Sequence, residues 1–154
     1  MTIDTIDAKI LEVLQENARV SISELSKKIN LSLSAASERL KKLEASGIIS
    51  KYTAILERGA LDRELLAYMM IHVDNRGSTE ELMKLIENSG EILETHFVAG
   101  DFDYILKIAT KNTDTLARLV NKVKSVKSVQ RTETAIVLTE IKQRYSVPPV
   151  ANKR

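Results

Sequence analysis

Two groups of residues in this chain have types and spacings that could do chemistry. The first lies in residues 25–49, LSKKINLSLSAASERLKKLEASGII, where Ser32, Ser34, Ala35 and Ser37 are interleaved with Glu38, Arg39, Lys41 and Lys42 and preceded by Lys27 and Lys28. Small residues let a helix N-terminus approach base edges, its dipole favours phosphates, and lysines neutralise them. Arg39 could contact guanine, or could brace its own domain through an acid. The bland alternative is two amphipathic helices with solvated lysines. The second group is His96-Phe97-Val98-Ala99-Gly100-Asp101-Phe102-Asp103-Tyr104. Gly100 permits a backbone conformation or close approach that a side chain would block. Asp101 and Asp103 place two carboxylates beside free backbone N–H groups. Such a loop could hold a zwitterion, with its carboxylate on backbone amides and its ammonium on an aspartate. On spacing alone, a plain β-turn of polar residues fits better. Tyr104 reads as packed, with its hydroxyl finding a partner.

Enzyme chemistry is not expected. The chain has no cysteine, which removes disulfides, thiolate catalysis and cysteine zinc sites. His72 and His96 are isolated, and no nucleophile, base and metal set assembles in sequence. No cofactor or metal is implied. The longest apolar run, residues 65–73, is far short of a membrane span and includes Tyr68 and His72. The opening MTIDTIDAKI has no basic stretch leading into an apolar one, so a cytoplasmic protein is expected. The formal net charge of +2 hides an asymmetry. From Lys27 to Lys51 the basic residues Lys27, Lys28, Arg39, Lys41, Lys42 and Lys51 face only Glu38 and Glu44. Lys142, Arg144, Lys153 and Arg154 form a basic tail, while the middle is mildly acidic. Localised positive patches on a nearly neutral chain suggest a nucleic-acid footprint.

The elements that must position the first group follow from caps and periodicity. Ile6, Ile10, Val13 and Leu14 repeat on one face of a first helix ending near Asn17. Ser21 and Glu24 form a capping box, and Ile22, Leu25 and Ile29 make the stripe of a short second helix. Asn30 tolerates the left-handed conformation that reverses the chain, Leu31 plugs the space between helices, and Ser32 caps a third helix. That helix runs to about Ala45, packs through Ala36, Leu40 and Leu43, and stops at Gly47. Residues 48–56 are rich in β-branched and aromatic types, a strand-like exit with a break at residues 58–63.

The second group falls in a region where strands and helices alternate. Strands are expected at 65–73, 92–99, 104–110 and 129–141, the last alternating through Thr132, Thr134, Ile136 and Leu138. Helices are expected at 78–88, capped by Ser78 and Glu81 after a turn at Arg76-Gly77, and at 112–123. The order βαββαβ is the ferredoxin-like arrangement, with both helices on one sheet face. Leu66, Tyr68, Met70 and Val98 would then lie on an uncovered apolar face, which implies a partner sheet and a homodimer. A dimer would read two half-sites of a roughly two-fold operator.

On these residues the chain resembles the Lrp/AsnC (feast–famine) transcriptional regulators over nearly its full length. Leu25-Ser26-Lys27-Lys28, Leu31-Ser32, Glu38-Arg39-Leu40, Leu43-Glu44 and Gly47-Ile48-Ile49 fit the family's head, and Tyr52-Thr53-Ala54 its connecting strand. Gly100-Asp101-Phe102-Asp103-Tyr104 resembles its most specific segment, closest to the leucine-responsive branch. One departure is Leu33, where the family often has proline. The fold expected is α+β, a winged helix-turn-helix head joined by a strand to a ferredoxin-like regulator-of-amino-acid-metabolism (RAM) domain. The divisions are 1–50 for the head, 51–63 for strand and linker, 64–141 for the second domain and 142–154 for the tail. The resemblance implies dimers that often assemble into octameric rings. It also implies an amino-acid effector bound between dimers by Gly100, Asp101, Phe102, Asp103 and Tyr104, with Thr132, Glu133 and Thr134 of the last strand as further candidates. A regulator of transcription on the chromosome is the leading expectation. An effector-independent nucleoid architectural protein that bends or wraps DNA is the alternative.

Overall fold

A computed structural model describes residues 2–74 and 78–151. The expected turn at Arg76-Gly77 and the basic pair Lys153 and Arg154 lie outside the described residues. By contacts the chain divides into two units, Met1–Ile55 with Lys142–Arg154, and Leu56–Ile141.

Three helices build the first unit: α1 (Thr5–Glu16), α2 (Ile22–Ile29) and α3 (Leu33–Ala45). Each begins at a side chain that satisfies a free backbone N–H. Ser21 Oγ accepts from Glu24 N at 3.2 Å while Glu24 Oε2 accepts from Ser21 N at 3.2 Å. Asp4 and Asp7 form a second such box at the start of α1, unforeseen in the sequence. Ser32 Oγ accepts from Ala35 N at the start of α3. Asn30 has φ 55° and ψ 47°, and the N–H groups of Asn30 and Leu31 donate to Lys27 O and Ser26 O. That is a Schellman closure, which ends α2 and turns the chain straight into the cap of α3. At the far end of α3, Gly47 takes φ 74°, a conformation a Cβ would strain. Ile10, Leu25, Ala36 and Leu43 are buried at the centre, with Val13 and Ile29 beside them. The tail joins this unit through Gln15 Nε2, which donates to Val147 O at 2.6 Å.

The second unit follows the chain order β1 (Leu65–Val73), α4 (Glu80–Asn88), β2 (Ile92–Phe97), β3 (Tyr104–Thr110), α5 (Thr113–Lys124), β4 (Val129–Ile136). The strands form one antiparallel sheet in the order β2-β3-β1-β4. Alternate residues of β1 (Ala67, Met69, Ile71, Val73) point into a core completed by Leu82 of α4, Leu106 and Ile108 of β3, and Leu116, Leu119 and Val123 of α5. Asn112 caps α5 in a box with Thr115. The ferredoxin-like α+β architecture is therefore the one present.

Five local expectations need correction. Residues 50–57 form no strand, because a strand needs a ladder and no described residue pairs with this segment. For the same reason β4 ends at Ile136, not 141, and Leu138 and Ile141 project into solvent. The strand β2 ends at Phe97, where Val98 N–H donates to Asp103 O and the chain turns. Ser78 and Glu81 make no capping box: Ser78 Oγ accepts instead from Glu80 N at 3.2 Å, and α4 starts at Glu80. On the sheet face away from the helices Tyr68 is exposed and Met70 half-buried, as expected, but Leu66 is buried.

Candidate DNA-binding helix and effector loop

On α3 the spacing of 3.6 residues per turn sets Ser34, Glu38 and Lys41 along one exposed stripe, opposite the buried Ala36 and Leu43. Ser34 Oγ lies 3.1 Å from Ser32 Oγ, so both hydroxyls sit at the N-terminal end of α3. Ala35 and Ser37 are half-buried at the margins. Lys42 Nζ pairs with Glu38 Oε1 at 2.8 Å, which holds the Glu38 carboxyl below its ordinary pKa. Lys27 and Lys28 are exposed in the last turn of α2, and Lys41 is exposed on α3. Together these residues form a surface of small side chains and cations, with Glu38 among them, at the start and along the exposed side of α3. Arg39 behaves differently. Its Nη1 donates to Asp4 Oδ2 at 2.6 Å and to Asp7 Oδ1 at 2.8 Å, so of its two sequence-based roles the structure displays bracing.

The loop between β2 and β3 is shaped by the end of β1. Asp103 N–H donates to Ile71 O at 2.9 Å, and Asp103 Oδ2 accepts from Val73 N at 2.8 Å. The same Oδ2 lies 3.0 Å from His72 Nδ1, although the approach does not have hydrogen-bond geometry. Asp103 thus secures the loop to β1 through one of its two carboxylate oxygens. Asp101 and Gly100 are exposed, with Gly100 at φ 151°. Phe102 is half-buried and lies under the guanidinium of Arg131, whose Cζ is 4.8 Å from the ring centroid. Tyr104 packs against the core, its ring 5.3 Å from that of the exposed Phe97.

The register explains which other candidates come near. Ile71 is flanked by Tyr104 on one side and Thr132 on the other, so the loop and the start of β4 share one end of the sheet. Strand alternation splits the three β4 candidates. Thr132 and Thr134 pair with the inward-facing Ile71 and Met69, whereas Glu133 pairs with Met70 on the open face. Arg131 and His72 are also opposite one another on that face. Sequence reasoning missed Arg131; the signal was a lone cation two strands from the Gly-Asp-Phe-Asp segment, legible only with the register in hand. Among the described residues no group of three or more histidine, aspartate or glutamate side chains could hold a metal ion. Nor is any helix there long and apolar enough to cross a membrane.

A capped helix-turn-helix with exposed cations, followed by an antiparallel α+β domain with a shaped loop, is the architecture of a DNA-binding regulator with a ligand-binding domain. Residues 3–50 match the family model described as winged helix-turn-helix DNA-binding, and residues 66–147 match that of the Lrp/AsnC ligand binding domain. The HTH-type transcriptional regulator FL11 of Pyrococcus furiosus is 38% identical over 146 residues, covering 95% of this chain and 96% of that protein. The leucine-responsive regulatory protein of Escherichia coli is 37% identical over 145 residues, covering 92% and 88%. Among solved structures, a transcriptional regulator of Neisseria meningitidis in complex with L-methionine superposes with a TM-score of 0.89 at 32% identity, covering 96% of this chain and 97% of that one. The chain belongs to the Lrp/AsnC family of transcriptional regulators. It is a DNA-binding regulator rather than an enzyme.

Proposed function

We propose that this regulator answers to an amino acid, and that it works in the cytoplasm on chromosomal DNA as a dimer or a higher assembly of up to four dimers. Ser32, Ser34, Ala35, Ser37, Glu38, Lys41 and Lys42 form the surface presented to the major groove, with Lys27 and Lys28 on flanking phosphates. The observation that carries the effector reading is the loop at residues 100–104, tied to β1 by Asp103 and set beside the start of β4. It lies in a domain of the family's ligand-binding type, and the Neisseria relative was solved with L-methionine. In this reading Asp101 receives the ammonium, Arg131 the carboxylate, and Phe102 and Tyr104 border the side chain. Glu133, on the same sheet face as Arg131, lines the approach, Thr132 and Thr134 support the strand from its other face, and Asp103 and Gly100 hold the loop in shape.

An effector acts only through a difference in its affinity for two states of the assembly, and a coupling of about 1–3 kcal/mol suffices for a useful response. A thermal-shift screen of the twenty amino acids tests the reading. At a hundred times its dissociation constant a true effector stabilises by about 2.7 kcal/mol, a rise of several degrees for a chain of this size. Asp101→Asn and Arg131→Gln are expected to abolish the rise. They are better probes than Asp103→Ala, which would also release Val73 N–H. If no amino acid shifts the melting temperature, the particle mass or the affinity for DNA, the effector reading is wrong.

A further inference from the structure

The two aspartates that cap α1 have a second use, and it reaches the recognition helix. In the capping box Asp4 Oδ1 accepts from Asp7 N at 2.8 Å and Asp7 Oδ2 accepts from Asp4 N at 3.2 Å. Each carboxylate then has one oxygen to spare, and both spare oxygens accept from the same nitrogen, Arg39 Nη1. Arg39 stands at the middle of α3, so one guanidinium joins the N-terminus of α1 to the helix that carries the DNA-facing stripe. The Asp7 side chain is 6% exposed and that of Arg39 32%. A carboxylate so buried needs a partner, because stranding it unpaired is costly. Its surroundings respond as an ion cluster should. The Asp7 N–H and then the Arg39 guanidinium hold the Asp4 carboxyl below its ordinary pKa, and Asp4 and then Asp7 hold Arg39 above its own.

Apolar packing alone leaves one freedom in α3. Its fully buried residues, Ala36 and Leu43, lie seven apart on a single row, with the half-buried Leu40 packed beside it on the side away from Arg39. One row fixes distance from the core but resists rolling about the helix axis weakly. Arg39 lies off that row, on the side toward α1. A roll of about 10° moves a side chain about 5 Å from the axis by about 1 Å, more than the ~0.5 Å tolerance of a well-organised site. We propose that Arg39 is a positioning residue rather than a nucleic-acid contact: clamped by Asp4 and Asp7, it sets the roll of α3, and so the presentation of Ser34, Glu38 and Lys41 to the groove.

The proposal has an unusual sign. Neutralising an acid on a DNA-binding head ordinarily strengthens binding, since repulsion of phosphates falls. Asp7→Asn is expected to weaken specific binding instead, because it loosens the clamp. The test uses the full chain, with the duplex that it enriches from a random pool and a scrambled duplex of the same composition. Affinity is measured across a salt series. Arg39→Gln and Asp7→Asn are each expected to lower affinity for the selected duplex about tenfold. The scrambled duplex is expected to lose less than twofold, and the slope of log K against log salt to stay unchanged. Arg39→Lys, which retains a donor to both aspartates, is expected to recover most of the loss. A merely structural role would lower the folded fraction and so weaken both duplexes together, which overturns the proposal. So does a salt slope reduced by about one in Arg39→Gln, the mark of a phosphate contact, or tighter binding by Asp7→Asn. Should Asp7→Asn fail to fold by circular dichroism, the half-exposed Asp4→Asn carries the same test, a two- to threefold loss supporting the clamp and a gain overturning it.

Discussion

Tyr52 OH donates to Glu44 Oε1 at 2.8 Å, closing the first unit beyond the end of α3. Partial burial of the phenol, with the nearby Glu44 carboxylate, pushes its pKa up to about 12. An unfolded tyrosine gives up its proton near pH 10, while folded Tyr52 retains it. The unfolded state therefore binds fewer protons in this window. The contribution to stability is fully present below pH ~10 and is lost as pH rises toward about 12. A phenolate absorbance titration checks this: Tyr52→Phe should remove a step at about pH 12. A high step that survives the substitution would assign it elsewhere. Residues of this kind divide by what their role depends on. Asn30 and Ser21 were legible because a left-handed backbone or a free N–H selects the residue type locally. Asp103, Arg131 and Asp7 were not, because their partners Val73, Phe102 and Arg39 are about thirty residues away.

At the scale of elements, α3 offers the clearest case for engineering. Ser32 has φ −67° and ψ 158°, the extended region that a following proline requires. Leu33 is the first helical residue, it is 54% exposed, and its N–H lies among those that a helix leaves free. Leu33→Pro should therefore stabilise the first unit by about 0.4–1 kcal/mol, chiefly by restricting the unfolded chain. Urea unfolding measures it, and a loss of stability would show that Leu33 packs or bonds in a way that exposed position conceals. The elements best read from sequence were those complete in themselves. The helices α1, α2 and α3 have their own caps, and β1 and β3 are bounded by abrupt changes in pattern. Residues 50–57 and 137–141 have strand-like composition yet no ladder, since pairing is a property of two segments and no pattern in one of them supplies the other. The site was legible in the same measure: Gly100–Asp103 stood out as a segment, but its anchorage and its neighbour Arg131 depended on register.

For the whole molecule, the uncovered sheet face is where the assembly proposed above would begin. Tyr68 is 38% exposed there and Met70 half-buried. Lys107 Nζ pairs with Glu94 Oε1 at 2.9 Å, and Arg131 Nη2 lies 3.8 Å from Glu133 Oε1. Apolar residues rimmed by charges of both signs suit an isologous contact, in which each patch meets its own copy about a two-fold axis. Two heads would then face two half-sites, and the recognition surface of α3 would bind each more tightly for being tethered to the other. Tyr68→Glu tests this with little risk to the protomer, because the side chain already reaches solvent. Buried between two copies, the new carboxylate would be unpaired at a cost of roughly 3–5 kcal/mol, weakening the dimer at least a hundredfold. Light scattering should then report the 17.2 kDa protomer at concentrations where the parent chain is larger. Footprinting should show one half-site protected where the parent protects two. If the mass and the footprint both stay unchanged, the copies meet through another surface. The exposed Ile55 and Leu56 before β1, and Leu138 and Ile141 after β4, would then supply the contact, since no described strand pairs with these segments of strand-like composition.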